Sequence, residues 1–169
     1  MRIAFTGSHR VGKTTLAEEI ADIFPNYDFK NEPYLQLEES GYLFSEIPTT
    51  DDYVEQFNYS VKQIEESGND VIFDRCPFDI LAYIYAKSKI KDIQTRYETM
   101  TNAMSKIDIL IFVPIETPDL IVCQESDLPN LRYEVNQILQ NWIADLSNEI
   151  LEVSGTLENR KKQIMQKIR

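Results

Sequence analysis

Gly7-Ser8-His9-Arg10-Val11-Gly12-Lys13-Thr14 fills the pattern G-x-x-x-x-G-K-[ST] at every specified position. The spacing carries a mechanism. Two glycines let the backbone curl so that successive N–H groups face phosphate oxygens, the lysine reaches the β- and γ-phosphates, and the hydroxyl holds Mg²⁺. All of Gly7, Ser8, His9, Arg10, Val11, Gly12, Lys13, Thr14 and Thr15 are therefore expected to cradle a nucleotide, ATP with Mg²⁺ foremost. The pattern needs a strand before it and a helix after it. Residues 2–6 (RIAFT) read as a short buried strand, and Leu16, Ile20, Ile23 and Phe24 recur at helical spacing until Pro25.

Further out, strand-like and helix-like runs keep alternating, which is the mark of a parallel α/β sheet. Residues 27–30, 71–74, 107–113 and 150–153 are the remaining strand candidates. Val54, Phe57, Val61 and Ile64 mark a helix ending near Gly68, and Pro77 opens another that carries Leu81, Ile84 and Tyr85. Val135, Ile138, Leu139, Trp142, Ile143 and Leu146 give a strongly amphipathic helix. The tail from Leu157 reads as a last helix, with Lys161, Lys162, Lys167 and Arg169 as cations on its solvated face. No linker or repeat divides the chain, so one domain over residues 1–169 is expected.

Twenty-eight Asp and Glu against 17 Lys and Arg give a net charge of −11, which repels a phosphate backbone. No nucleic-acid partner is expected. The apolar stretch 107–115 is interrupted by Asp108 and Pro114, and Arg2 leads straight into the loop with no signal-peptide core. No membrane partner is expected either. Cys76 and Cys123 have neither disulfide-framework nor zinc spacing, Cys76 reads as buried packing, and a reducing cytoplasm fits best.

The end of the third strand is expected beside the phosphate loop, where Asp74 orders Mg²⁺ and its water while Arg75 bridges phosphoryl oxygens. Asp79 stands between stabilising its helix N-terminus and touching substrate. The segment 31–61 contains no Lys or Arg but holds Glu32, Glu38, Glu39, Glu46, Asp51, Asp52 and Glu55. An acceptor bound there would be neutral or cationic, because a phosphorylated acceptor needs cations to clamp it. An acidic solvated face, with the acceptor elsewhere, is the competing reading.

The string Asp74-Arg75-Cys76-Pro77-Phe78-Asp79, continued by Ile80-Leu81-Ala82-Tyr83, resembles the Asp-Arg-x-x-x-Asp-x-Leu-Ala-Tyr pattern of the AAA-domain predicted-ATPase and kinase family. That family includes the kinase domain of bifunctional nicotinamide riboside kinases. The string is also similar to the acidic-Arg-Ser motif of deoxyribonucleoside kinases. Glu32-Pro33, Leu131-Arg132 and Val153-Ser154-Gly155 extend the resemblance over nearly the whole chain. It implies an α/β fold, a three-layer α/β/α P-loop NTPase with about five parallel strands, and ATP-dependent phosphoryl transfer to a hydroxyl of a small molecule, a nucleoside or riboside. Lys13, Glu32, Asp74, Arg75 and Arg132 become the catalytic candidates, with Glu32 taking the acceptor proton and Thr14 and Asp74 holding metal. Glu32, Tyr34, Gln56, Phe57, Arg75 and Asp79 become the substrate-binding candidates, Gln56 resembling the base-reading Gln of those kinases.

His9 is the only histidine, and the variable loop positions commonly point outward, so it is not assigned a proton. Arg10 is left open between the lid and solvent. Arg132 is the only cation from residue 107 up to the fifth strand, a departure from lids rich in Arg. Two alternatives follow. One is a regulatory module that hydrolyses ATP or GTP slowly, although the Asp-x-x-Gly and Asn-Lys-x-Asp strings of regulatory GTPases are absent. The other is a nucleoside monophosphate kinase that clamps its acceptor with Arg75, Arg96 and Lys87.

Overall fold

The computed structural model describes residues 1–88 and 93–168, so Arg169 lies outside the described residues. The strands are β1 (Arg2–Thr6), β2 (Asp28–Lys30), β3 (Val71–Asp74), β4 (Ile109–Phe112) and β5 (Glu149–Glu152). The helices are α1 (Lys13–Ile23), α2 (Pro33–Glu39), α3 (Thr50–Glu66), α4 (Pro77–Ser88), α5 (Gln94–Met104), α6 (Pro129–Trp142) and α7 (Leu157–Lys167). All strand pairs are parallel, in the order β2-β3-β1-β4-β5. This is the α/β P-loop architecture expected from the sequence. None of the described helices is long and apolar enough to cross a membrane.

The continuous apolar runs of β1, β3 and β4 follow from burial on both sheet faces. Alternate residues point to opposite faces. Ile3, Phe5, Ile72, Ile109 and Ile111 meet Leu16, Ala17 and Ile20 of α1 and Ile164 of α7. Ala4, Phe73, Leu110 and Phe112 meet the other layer, where Phe57, Leu81, Met100 and Leu139 come from α3, α4, α5 and α6. Each such large apolar side chain contributes about 1.5–3 kcal/mol on burial. β5 forms an edge, and its outward Glu149 and Glu152 are exposed.

The strand boundaries differ from the sequence reading by one or two residues. Ile107 belongs to the turn after α5, its N–H bonding the Met104 carbonyl, and β4 starts only at Ile109. α2 and α5 were not legible in the hydropathy pattern: α2 is short, and α5 shows the core only Met100, Ala103 and Met104. Among the described tail cations, Lys162 and Lys167 are exposed and Lys161 is half-buried. Lys161 pairs with Glu19 at 2.7 Å and with Glu158 at 3.3 Å, and Lys167 pairs with Glu149.

Two backbone devices set the loop between β1 and α1. Gly12 sits at φ 84 as it hands the chain to α1, and Gly7 at φ 145 passes under β4. A Cβ on Gly7 would lie 2.3 Å from the Val113 carbonyl oxygen. Gly7→Ala is therefore expected to lower unfolding free energy by on the order of 3 kcal/mol, read by urea denaturation. A loss below about 0.5 kcal/mol would mean that the loop relaxes freely away from β4.

Candidate functional site

The parallel topology sends the C-terminal ends of β1, β2 and β3 to one rim of the sheet, and the chemistry gathers there. Lys13, in the first turn of α1, is 5% exposed and donates to the Ser8 carbonyl at 3.0 Å. Burial lowers its pKa to about 8, helped by Arg75 and opposed by Asp79, Asp74 and Glu32. A bound phosphate would supply the missing countercharge. Nucleotide binding is thus expected to take up a proton increasingly as pH rises from 7 to 9, and affinity is expected to fall above about pH 8. Calorimetry in buffers of different ionisation enthalpy measures that uptake, and its absence would contradict the neutralised lysine.

Asp74, at the tip of β3, is 1% exposed, and its Oδ1 has no hydrogen-bond partner. Burial raises its pKa, while Lys13 and a hydrogen bond from the Thr14 side chain pull it down. An orphaned carboxylate oxygen beside a hydroxyl at a helix N-terminus fits Mg²⁺, which takes few protein ligands and completes its shell with phosphate and water. Among the described residues no cluster of three or more His, Cys, Asp or Glu forms a closed cage.

Arg75 follows with φ 82, a left-handed conformation uncommon for an arginine. It turns the guanidinium between two carboxylates, with Nε donating to Glu32 Oε2 at 2.9 Å and Nη1 to Asp79 Oδ2 at 2.8 Å. It also lies over the Tyr83 ring, 5.4 Å from the centroid. Burial opposes its charge, but Asp79, Tyr83, Glu32 and Asp74 outweigh that and hold its pKa well above the ordinary arginine value. Glu32 reaches this point because β2 ends at Lys30 and Pro33 starts α2, which leaves Glu32 at the N-cap, 23% exposed.

A cavity of about 510 Å³ opens over this group, walled by Glu32, Tyr34, Tyr53, Gln56, Arg75 and Tyr83. Tyr53 and Tyr83 stack at 4.9 Å with an interplanar angle of 18°. Tyr34 is braced from behind by Phe44, stacked at 4.2 Å. Gln56 donates to its own helix at the Asp52 carbonyl. Asp52 is itself consumed by structure: it forms a capping box with Thr49 and accepts from Tyr42 at 3.1 Å.

Four of the sequence-stretch candidates land differently from expectation. Phe57 is 2% exposed in the core and does not line the cavity, because the neighbouring position on a helix is turned by about 100° from Gln56. Asp79 is fully buried beneath Arg75 and caps the Cys76 N–H at 3.1 Å, so it supports the wall without facing the cavity. Arg132 is 4% exposed and committed: Nη1 to Asp119 at 2.5 Å, Nε to the His9 carbonyl at 3.0 Å and Nη2 to the Arg10 carbonyl at 3.0 Å. It clamps the phosphate loop and is not a free lid arginine. His9 does not point outward. Its ring sits between the Tyr83 hydroxyl and the Asp127 carbonyl, and burial lowers its pKa to about 4. Arg10 is exposed and pairs with Asp127 at 2.9 Å. Cys76 is fully buried, and burial raises its thiol pKa.

A second cavity of about 480 Å³ lies on the far side of the loop, against Gly12, Glu116, Arg132, Gly155 and Arg160. Arg160, unassigned from sequence, donates to the Val11 carbonyl at 2.8 Å and to Glu116 at 2.9 Å. Its signal was an arginine four residues before Ile164 on the core-facing side of α7.

A phosphate loop, a buried carboxylate and an arginine between two acids, all at one sheet rim, define a P-loop domain. Residues 2–160 match the AAA domain family, and the chain belongs to it. No curated protein sequence matches the chain. Among solved structures it is similar to deoxyadenosine kinase from M. mycoides with bound dATP, at 18% identity over 99% of this chain and 98% of that one, TM-score 0.67. Thymidylate kinase from Candida albicans is similar at 16% identity over 98% and 89%, TM-score 0.65. The YorR protein from Bacillus subtilis is similar at 13% identity over 98% and 94%, TM-score 0.63. The fold is thus one also used by nucleoside and nucleotide kinases.

Proposed function

We propose that the protein transfers the γ-phosphoryl group of ATP to a hydroxyl of an unphosphorylated nucleoside or riboside. The observation that carries this reading is Glu32 at the wall of the aromatic cavity, oriented by Arg75 beside Lys13 and Asp74. Glu32 is the base that takes the acceptor hydroxyl proton, and the loop N–H groups with Lys13 hold the phosphates. Thr14 and Asp74 would hold Mg²⁺, which supplies charge neutralisation on the phosphoryl oxygens when bound. The stacked Tyr53 and Tyr83 offer a flat ring a surface, and Gln56 offers an amide edge.

Charge bookkeeping favours an acceptor without a phosphate. Among the described residues the Lys and Arg side chains lining this cavity are Arg10 and Arg75, and both are already paired with carboxylates. Arg96 and Lys87 do not line it, which weighs against a monophosphate clamp built from them. The slow-hydrolysis regulatory reading draws on one observation, the commitment of Arg132 to Asp119 and the loop carbonyls. A panel of nucleosides, nicotinamide riboside and nucleoside monophosphates with Mg-ATP, read by mass spectrometry with Lys13→Ala as control, tests the proposal. Phosphorylation of an unphosphorylated member supports it. Turnover of monophosphates alone, or ADP formation that no acceptor changes, would overturn it.

A further inference from the structure

The apex of the phosphate loop is tied to both cavity walls through one side chain. The His9 backbone N–H donates to the Tyr83 hydroxyl at 2.7 Å, and the same hydroxyl stands 2.7 Å from His9 Nδ1. Nε2 lies 2.5 Å from the Asp127 carbonyl oxygen. A proton count leaves one consistent arrangement. A carbonyl only accepts, so Nε2 must carry a proton. The Tyr83 oxygen already accepts from the backbone N–H, and its own proton then goes to Nδ1. A neutral ring is therefore held as the Nε2–H tautomer.

The imidazole has no easy alternative state. Burial is the main force against a charged ring, the Asp127 carbonyl works the other way, and Arg75, Lys13 and Arg132 add to burial as cations facing it. Tyr83 in turn is fixed by contacts that belong to the acceptor cavity, namely the Tyr53 ring on one side and the Arg75 guanidinium over its face. Asp127 closes the short turn before α6 and also holds Arg10. A ligand touching the Tyr53–Tyr83 pair is thus two hydrogen bonds away from the segment that ends at Asp127.

We infer that Tyr83 is a positioning residue: through a single neutral tautomer of His9 it sets the apex of the phosphate loop and pins the Asp127 turn across the acceptor cavity. Its consequence for turnover rests on the kinase reading above, while the tautomer and its dependence on Tyr83 do not. Tyr83→Phe keeps the ring, its stack on Tyr53 and the arginine over its face, and removes the hydroxyl with its hydrogen bonds to His9 and to the Arg75 side chain.

His9 is the only histidine in the chain, so a long-range ¹H–¹⁵N correlation spectrum of the ¹⁵N-labelled full chain reads this one imidazole. At pH 7 the wild-type protein is expected to give Nε2 protonated and Nδ1 as a hydrogen-bonded acceptor. In Tyr83→Phe the Nδ1 resonance is expected to move and the two tautomers to mix. With Mg-ATP and whichever nucleoside is turned over, kcat of the variant is expected to fall about 10- to 100-fold, with the KM for ATP changed less than about threefold. An Nδ1–H tautomer or a charged ring in the wild type would overturn the proposal without any variant. So would a Tyr83→Phe spectrum identical to wild type. The wild-type signature with its loss in the variant, but no phosphorylated nucleoside, would support the positioning contact and refute the kinase reading instead.

Discussion

Glu32→Gln is expected to lower acceptor-dependent turnover by about 10²- to 10⁴-fold, the range for removing a general base, while leaving the KM for ATP within about twofold. The substitution is informative because the amide oxygen still accepts a hydrogen bond from Arg75 Nε, now 2.9 Å from Glu32 Oε2. Arg75 keeps its second partner, Asp79, so the wall of the cavity stays in place. What disappears is a group that takes a proton at neutral pH. Steady-state kinetics with saturating Mg-ATP measure the effect. A loss of less than about fivefold in kcat would show that Glu32 only orients Arg75 and that the acceptor proton leaves by another route.

Arg75→Met is expected to cost about 3–5 kcal/mol of folding stability, the range for breaking a buried ion pair by removing one partner. Asp79 is fully buried and would keep the Cys76 N–H and thiol as hydrogen-bond donors to its carboxylate, poor substitutes for a guanidinium. The uncompensated carboxylate then favours its protonated form. Burial already raises the Asp79 pKa with Arg75 present, and removing the cation raises it further. A carboxyl whose folded pKa lies above its unfolded value binds more protons in the folded chain, so its contribution falls as pH rises. Relative to wild type, Arg75→Met is therefore expected to regain stability on acidification from pH 7, and Arg75→Met with Asp79→Asn to recover most of the loss. Urea denaturation of the three proteins decides it. A double variant no more stable than the single one would show that the unpaired Asp79 carboxylate is not what sets the cost.

What was legible in the sequence was local. The phosphate loop is an unbroken run between a strand and a helix, and its glycines and Lys13 carry their roles in their spacing. Asp74-Arg75 ends an apolar strand, which in a parallel sheet already places it beside the loop. Glu32 was legible as the residue between a short strand and a helix-starting proline. What stayed hidden depends on contacts across long stretches of chain. Tyr83 meets His9 across 74 residues, His9 meets Asp127 across 118, and Arg160 meets Val11 across 149. The apolar spacing of α4 was read through Leu81, Ile84 and Tyr85, yet Tyr85 is exposed, and it is Tyr83, outside that spacing, that is buried and meets the phosphate loop. Arg132 illustrates the same limit: the sequence offers it as the lid arginine, and only the fold brings Asp119 and two loop carbonyls around it.

The most direct measurement of the central claim follows the transferred group. ATP labelled on its γ-phosphate, incubated with Mg²⁺, the protein and an equimolar mixture of nucleosides and nicotinamide riboside, is resolved by chromatography into inorganic phosphate and organic phosphate esters. The account predicts label on a formerly unphosphorylated hydroxyl, lost in Lys13→Ala and reduced at least about 100-fold in Glu32→Gln. Label found only in inorganic phosphate, at a rate no acceptor changes, would contradict it.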